Sequence, residues 1–266
     1  FDLQILDSKT YNIPIICVGN LELGGTGKTP HVQYIINLLK NKYKIAVLSR
    51  GYGRKTSTTK YVEAHDNVDL VGDEPLQIKK NNPSCLVVVE KNRNKGIKNI
   101  LDKHKEIEVI ILDDGFQHRW LKAGLNIILT DFAKPYYTNH LFPYGTLREK
   151  KENSKRADII ILTKTPKDTT PKQKQEIIKR INLNKNQKSF FSEIKYSDWK
   201  YLNKNVTIKE KNNYSITLVT GIANPTHLVN HLKSKNHINH IKFPDHHNYN
   251  LEDVNNIIYI YNNNIF

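Results

Sequence analysis

The sequence contains no methionine and only two cysteines among its 266 residues. A chain of this length at ordinary composition carries several methionines. With Phe1 at its start and an apolar stop at Phe266, it is expected to be a fragment of a longer protein. Cys17 and Cys85 sit inside the apolar runs I-I-C-V and S-C-L-V-V-V. That placement fits buried reduced thiols and argues against a disulfide framework or a cysteine metal site. No apolar run approaches the ~20 residues of a membrane-spanning helix, and no stretch reads as a secretory signal. Acidic residues are scarce: 26 Asp and Glu against 41 Lys and Arg leave a formal charge of +15. Such an excess suits an anionic partner, whether a nucleotide, a phospholipid surface or a nucleic acid. Lysine and asparagine are spread along the whole chain, however, so charge alone selects no site.

What is present is one stretch of high specificity. The apolar run Ile13 to Val18 breaks into Glu22-Leu23-Gly24-Gly25-Thr26-Gly27-Lys28-Thr29 and then enters a helix with Val32, Ile35, Ile36 and Leu39 apolar. A buried strand, a glycine turn and a new helix N-terminus together form a phosphate cradle, because glycines let backbone N–H groups converge on an anion. Lys28 is expected at the β- and γ-phosphates, and the Thr29 hydroxyl at magnesium. The usual spacing G-x-x-x-x-G-K-[ST] asks for glycine where this chain has Glu22.

Further strand-like runs follow at 44–49, 85–89, 108–112, 125–131 and 157–164, alternating with helical patterns. This alternation predicts a parallel α/β sheet. The second run ends at Arg50-Gly51-Tyr52-Gly53-Arg54, a loop that either merely turns the chain or faces an anion. Gly72-Asp73-Glu74-Pro75 opens a helix, where Asp73 reads as an N-cap. The run to Leu112 ends in Asp113-Asp114-Gly115-Phe116-Gln117-His118. A strand that delivers a carboxylate beside a Gly-Lys-Thr loop is a magnesium partner for Thr29, although Asp-Gly is also a common turn pair. A long loop then leads to Arg148 and Glu149, ahead of an expected Lys-rich helix from Lys150. The stretch 166–188 turns polar and reads as a transition between a core, 1–188, and a smaller α/β lobe, 189–266. In that lobe Asp245-His246-His247 reads either as a polar turn or as a catalytic imidazole, with too few companions for a transition metal.

Seven motifs stand in order: V-G-N-L-E-L-G-G-T-G-K-T-P, S-R-G-Y-G-R, G-D-E-P, D-D-G-F-Q-H, G-T-L-R-E, G-I-A-N-P and F-P-D-H-H. In this order the sequence resembles the tetraacyldisaccharide 4′-kinase family over nearly its whole length. That family also lacks the first glycine of the phosphate loop. Its pattern includes an N-terminal hydrophobic helix and a C-terminal T-E-K-D motif that are not in this sequence. The resemblance implies a P-loop NTPase-type core with a second α/β lobe, and transfer of the ATP γ-phosphoryl group to the 4′-hydroxyl of a tetraacyl disaccharide-1-phosphate in lipid A biosynthesis. It implies that Glu22 to Thr29 hold ATP, and that Thr29, Asp113, Asp114 and Glu149 lie around Mg2+. Asp73 is implied as the base with His246 as its partner across an interlobe cleft, and Arg148 as a catalytic cation near the phosphates. Arg50, Gly51, Tyr52, Gln117 and His118 fall on the acceptor side. The implied partners are ATP, the acylated lipid and an anionic inner-membrane surface on its cytoplasmic face, with no nucleic acid. Two other classes compete. A GTPase-type switch would carry [NT]-K-x-D, but Thr163-Lys164-Thr165-Pro166 has proline in place of the aspartate. A DNA-partitioning ATPase would bind with steep salt dependence.

Overall fold

The computed structural model describes residues 7–201, 206–210 and 212–263. Phe1 and Phe266, on which the expectation of a fragment partly rests, lie outside the described residues. The chain divides into two compact units, Phe1–Ile194 and Lys195–Phe266.

The first unit is organised around an eight-stranded sheet. In chain order it contains β1 (Ile15–Asn20), α1 (Lys28–Leu39), β2 (Ile45–Ser49), β3 (Lys60–Tyr61), α2 (Val68–Val71), α3 (Asp73–Asn81) and β4 (Leu86–Val89). There follow α4 (Arg93–Lys103), β5 (Val109–Asp113), β6 (Leu125–Asp131), β7 (Ile159–Thr163), α5 (Pro171–Ile181) and β8 (Lys188–Phe191). The spatial order is β3-β4-β2-β5-β1-β6-β7-β8, and every neighbouring pair is parallel except the β3–β4 edge. The central strands are apolar throughout because helices cover both faces. Alternate side chains sort into two cores. Val18, Val47, Val87 and Ile111 pack with Val32 and Ile36 of α1 and Ile78 of α3. Cys17, Leu48, Val88 and Leu112 pack with Ile97 and Ile100 of α4 and Ile181 of α5. Both thiols are free and buried, and burial pushes each up to about 12, which makes them inert.

Two expectations change. The polar stretch before 188 is a crossover that contains α5, whose start carries a Thr170–Gln173 capping box. The strand after it, β8, pairs with β7 as the last strand of the sheet. The division expected between 188 and 189 therefore falls between 194 and 195. The Lys-rich helix expected from Lys150 is a short 3₁₀ turn, Lys151–Arg156.

The second unit contains β9 (Trp199–Lys200), β10 (Thr207–Ile208), β11 (Ser215–Thr220), α6 (Thr226–Lys233), β12 (His237–Lys242) and α7 (Leu251–Asn262). Strands β11 and β12 pair in parallel through the α6 crossover, and β9 and β10 form an antiparallel pair. Among the described residues no helix is long and apolar enough to cross a membrane.

Candidate active site at the phosphate loop

In open α/β sheets, ligands bind beyond the carboxyl ends of strands where the strand order reverses. Here that point is β1, flanked by β5 and β6, with Val18 level with Asp113 across the β1–β5 pair. Gly24 and Gly27 have φ of 109° and 89°, values open to glycine and costly for other residues. Gly27 is the N-cap of α1, so the turn discharges into the positive end of that helix.

The loop is held from several sides. Asn20 Nδ2 donates to Thr26 Oγ1 at 3.0 Å. Thr163 Oγ1 donates to the Thr26 carbonyl at 2.9 Å, and Lys164 Nζ donates to the Gly25 carbonyl at 2.8 Å and to Asp131 Oδ2 at 2.7 Å. The Leu23 N–H is engaged by the Thr146 carbonyl at 2.7 Å, so Leu23 anchors the loop through its backbone. Glu22, where the usual motif has glycine, is 4% exposed. Its Oε1 accepts from Asn139 Nδ2 at 2.9 Å and its Oε2 from Thr130 Oγ1 at 3.2 Å. Burial pushes this carboxyl above its ordinary value, against the pull of those two donors.

Lys28 lies 3.7 Å from Asp114 Oδ1 and 3.4 Å from Asn20 Oδ1. Arg148 Nη1 donates to both Asp114 oxygens, at 3.0 and 2.9 Å, and to Gln117 Oε1 at 3.3 Å. Burial alone would raise Asp114, but Lys28 and Arg148 outweigh it and hold the carboxyl below its usual range. Its neighbour differs entirely. Asp113 is fully buried, accepts from Ser49 Oγ at 3.1 Å through Oδ2, and has no hydrogen-bond partner for Oδ1 among the described residues. Burial, then Glu74 and Asp114, push Asp113 up to about 7. The two aspartates part ways because Asp113 ends a strand while Asp114 adopts φ 52°, which redirects its side chain.

Sequence reasoning passed over three residues here. Thr29 Oγ1 donates to Glu74 Oε1 at 2.9 Å, so it is the second acid of G-D-E-P that reaches the loop. Buried Arg93 donates to the carbonyls of Glu90, Asp113 and Asp114 and fixes the twin-aspartate turn. Asn139 binds Glu22. The one prior signal was Glu74's place in a motif already singled out.

Glu149 sits beside this group, but its carboxylate is occupied. Oε1 accepts from Gln117 Nε2 at 2.9 Å, and Oε2 from Asn153 Nδ2 at 2.8 Å and from Arg156 Nη2. Gln117 also donates to the Asn20 carbonyl at 2.8 Å. Glu149 thus links Gln117 to Arg156 through its two oxygens.

The acceptor-side candidates also converge. A Cβ on Gly51 (φ 67°) would lie 2.8 Å from the Val71 carbonyl, and one on Gly72 would lie 3.0 Å from the Tyr52 carbonyl, so the S-R-G-Y loop packs on G-D-E-P. Arg50 and Tyr52 are exposed. His118 is half-buried, and burial with the fields of Arg93 and Arg50 depresses it to about 4, leaving a neutral imidazole. Asp73 is the first residue of α3, with Gly72 as the N-cap, and its Oδ1 accepts from the Glu74 N–H at 2.9 Å.

In the second unit His246 has φ 56°, is exposed, and donates its backbone N–H to the Gly221 carbonyl at 3.3 Å, which joins F-P-D-H-H to G-I-A-N-P. His247 turns instead to Asp253 Oδ2 at 2.9 Å and stacks on Phe243. Among the described residues no three His, Cys, Asp or Glu side chains group as a metal site.

A glycine turn capping a helix, a lysine and a threonine behind it, and a buried carboxylate on the adjacent strand define a P-loop nucleotide-binding core. Comparison with known proteins narrows the class. The profile of the family described as Tetraacyldisaccharide-1-P 4′-kinase matches residues 1–264. The Tetraacyldisaccharide 4′-kinase of Bacteroides fragilis (strain YCH46) is 41% identical over 263 residues, spanning 96% of this chain and 70% of the relative. That of Flavobacterium psychrophilum is 42% identical over 261 residues, 97% of this chain and 76% of the relative. The crystal structure of LpxK from Aquifex aeolicus in complex with ATP superposes with a TM-score of 0.70 at 31% identity, covering 92% of this chain and 76% of that one. The chain belongs to the tetraacyldisaccharide-1-P 4′-kinase family.

Proposed function

We propose that this kinase transfers the γ-phosphoryl group of ATP to the 4′-hydroxyl of a tetraacyl disaccharide-1-phosphate, with Mg2+ as cofactor. The observation that carries the reading is the convergence of Lys28, Thr29, Glu74, Asp113, Asp114 and Arg148 on the mouth of the glycine turn. The oxygen donors suit magnesium, which prefers one or two carboxylates together with phosphate oxygens. The partnerless Oδ1 of Asp113 suits a ligand not supplied by the protein. Thr29, Asp113 and Glu74 would hold the ion, which would neutralise charge on the transferring group.

The chain's own residues supply the rest. Lys28 and Arg148, now neutralising Asp114, would exchange it for the phosphate oxygens. Asp73 would take the hydroxyl proton, assisted by the His246 imidazole, and Arg50, Gly51, Tyr52, Gln117 and the neutral His118 would face the sugar. Phosphoryl transfer depends more on positioning and charge neutralisation than on covalent help. The work site we assign is the cytoplasmic face of an anionic membrane, where the excess of basic residues is favourable.

The decisive experiment is transfer of radiolabel from ATP to the disaccharide-1-phosphate lipid, with and without Mg2+, in the parent, Asp73→Ala, His246→Ala and the double variant. Transfer should require Mg2+. Asp73→Ala should lower kcat about 10²–10⁴-fold while leaving the KM for ATP within a few fold. Adding His246→Ala should cost little more, because groups that act as one unit are non-additive. Near-normal turnover of Asp73→Ala, or multiplicative losses in the double variant, would remove the pair from the mechanism.

A further inference from the structure

The loop 139–148 that delivers Arg148 has a second feature that the kinase chemistry leaves unused. At its tip Leu141, Phe142, Pro143 and Tyr144 are all exposed, Phe142 at 68% and Tyr144 at 87%, and Leu23 beside its base is 48% exposed. Four consecutive exposed apolar residues mark a contact site.

The tip is held out by its base. Asn139 Oδ1 accepts from the N–H groups of His140 at 2.8 Å and Thr146 at 3.2 Å, while its Nδ2 binds Glu22 and Thr146. Backbone bonds close the neck: Gly145 to Leu141 at 2.9 Å, Phe142 to Leu147 at 3.0 Å and Leu147 to His140 at 2.9 Å. A side chain at 145 would drive its Cβ into the His140 carbonyl, so this close turn has room only for glycine. The Leu23 N–H to Thr146 carbonyl bond and the Arg148 N–H to Leu21 carbonyl bond, each 2.7 Å, fasten the base to the phosphate loop. Flanking the tip in sequence, Lys134, Lys150, Lys151 and Lys155 are exposed, and Glu152 is the one exposed acid from 134 to 155.

We propose that the Leu141–Tyr144 tip is a membrane-contact element that seats on an anionic bilayer and, through its rigid neck, registers the phosphate loop against that surface. This deepens the reading of a lipid acceptor and rests on it. Apolar and aromatic side chains at the point, with exposed lysines flanking them in sequence, match the interfacial boundary, aromatics entering the headgroup layer and lysines meeting lipid phosphates.

The test is co-sedimentation of the 266-residue chain with vesicles of phosphatidylcholine alone or with one-quarter phosphatidylglycerol. The parent should pellet with the anionic vesicles, and Phe142→Ser/Tyr144→Ser should bind them at least tenfold more weakly while retaining the parent's ATP affinity. The Lys150→Gln/Lys151→Gln pair should shift the salt concentration at which vesicles release the protein. As an independent measurement, Phe142→Trp should show blue-shifted emission and quenching by brominated lipid when anionic vesicles are added. Equal pelleting of parent and Phe142→Ser/Tyr144→Ser overturns the proposal, as does an unshifted Phe142→Trp. Loss of a parent dimer in the serine variant without any change in vesicle binding also overturns it, assigning the tip to a second copy. Failure of the kinase reading shows separately, as no label transfer by the parent to dispersed lipid acceptor.

Discussion

Restoring the usual motif glycine by Glu22→Gly should damage this protein. The carboxylate accepts from two buried donors, Asn139 and Thr130, and the Thr130 hydroxyl in turn accepts the Tyr136 N–H at 2.8 Å. Removing it strands both donors, and a hydrogen bond to a charged group is worth about 1.5–3 kcal/mol. Glycine adds about 1 kcal/mol of backbone entropy, and the relief of no longer burying a carboxylate takes part of the total back. The net expectation is a loss of about 2–4 kcal/mol, read as a lower urea midpoint by circular dichroism. With the Asn139 staple cut, Arg148 loses its register and kcat should fall about tenfold, since small misplacements near reacting groups are costly. Glu22→Gln separates shape from charge. Burial raises the folded carboxyl above its unfolded value, so its stabilising share is complete below the ordinary carboxyl value of 4.5 and is lost as pH rises through the raised value. The parent's margin over Glu22→Gln should therefore shrink as pH climbs. An unchanged urea midpoint and unchanged turnover in Glu22→Gly would refute the argument.

Two other perturbations test the surroundings of the site. Gly51 and Gly53 both have positive φ, 67° and 75°, but a Cβ on Gly51 meets Arg54 Cδ at 2.7 Å and the Val71 carbonyl at 2.8 Å, whereas one on Gly53 meets nothing within 4 Å. Gly53→Ala should cost only the left-handed penalty of about 1–2 kcal/mol, and Gly51→Ala clearly more, by urea denaturation of each; equal losses would contradict the packing. For His118, depressed to about 4, stability tied to its neutral form is complete above 6.5 and is lost as pH falls toward 4. Its ring resonances should show an inflection near pH 4 and none between 5.5 and 8, and Arg50→Gln should move that inflection upward.

The sheet was legible because parallel strands covered on both faces must be apolar end to end, and runs such as Val109 to Leu112 have few other uses. The phosphate loop was legible because its chemistry demands particular residues at fixed spacing. What escaped was orientation between adjacent residues. Asp73 and Glu74 are equivalent on paper, yet a helix rotates about 100° per residue, and only Glu74 reaches Thr29 at 2.9 Å. Asp113 and Asp114 diverge through one left-handed residue that the letters D-D-G do not reveal. Asn139 was invisible for another reason: it joins segments 117 residues apart in sequence, and no local pattern marks it. The boundary between units was misplaced because a polar helix between strands has the composition of a linker until its following strand is seen to pair.

Lys164 and Thr163 at the end of β7 hold two carbonyls of the glycine turn, and Ser192 just beyond β8 meets His31 at 3.0 Å. The turn is thus braced by the far half of the sheet before any anion arrives. Nucleotide capture should then resemble docking into a mould already cast, with little ordering entropy lost on arrival. Loosening β7 or β8, strands remote from the transferred phosphorus, should weaken nucleotide affinity by letting the empty turn wander.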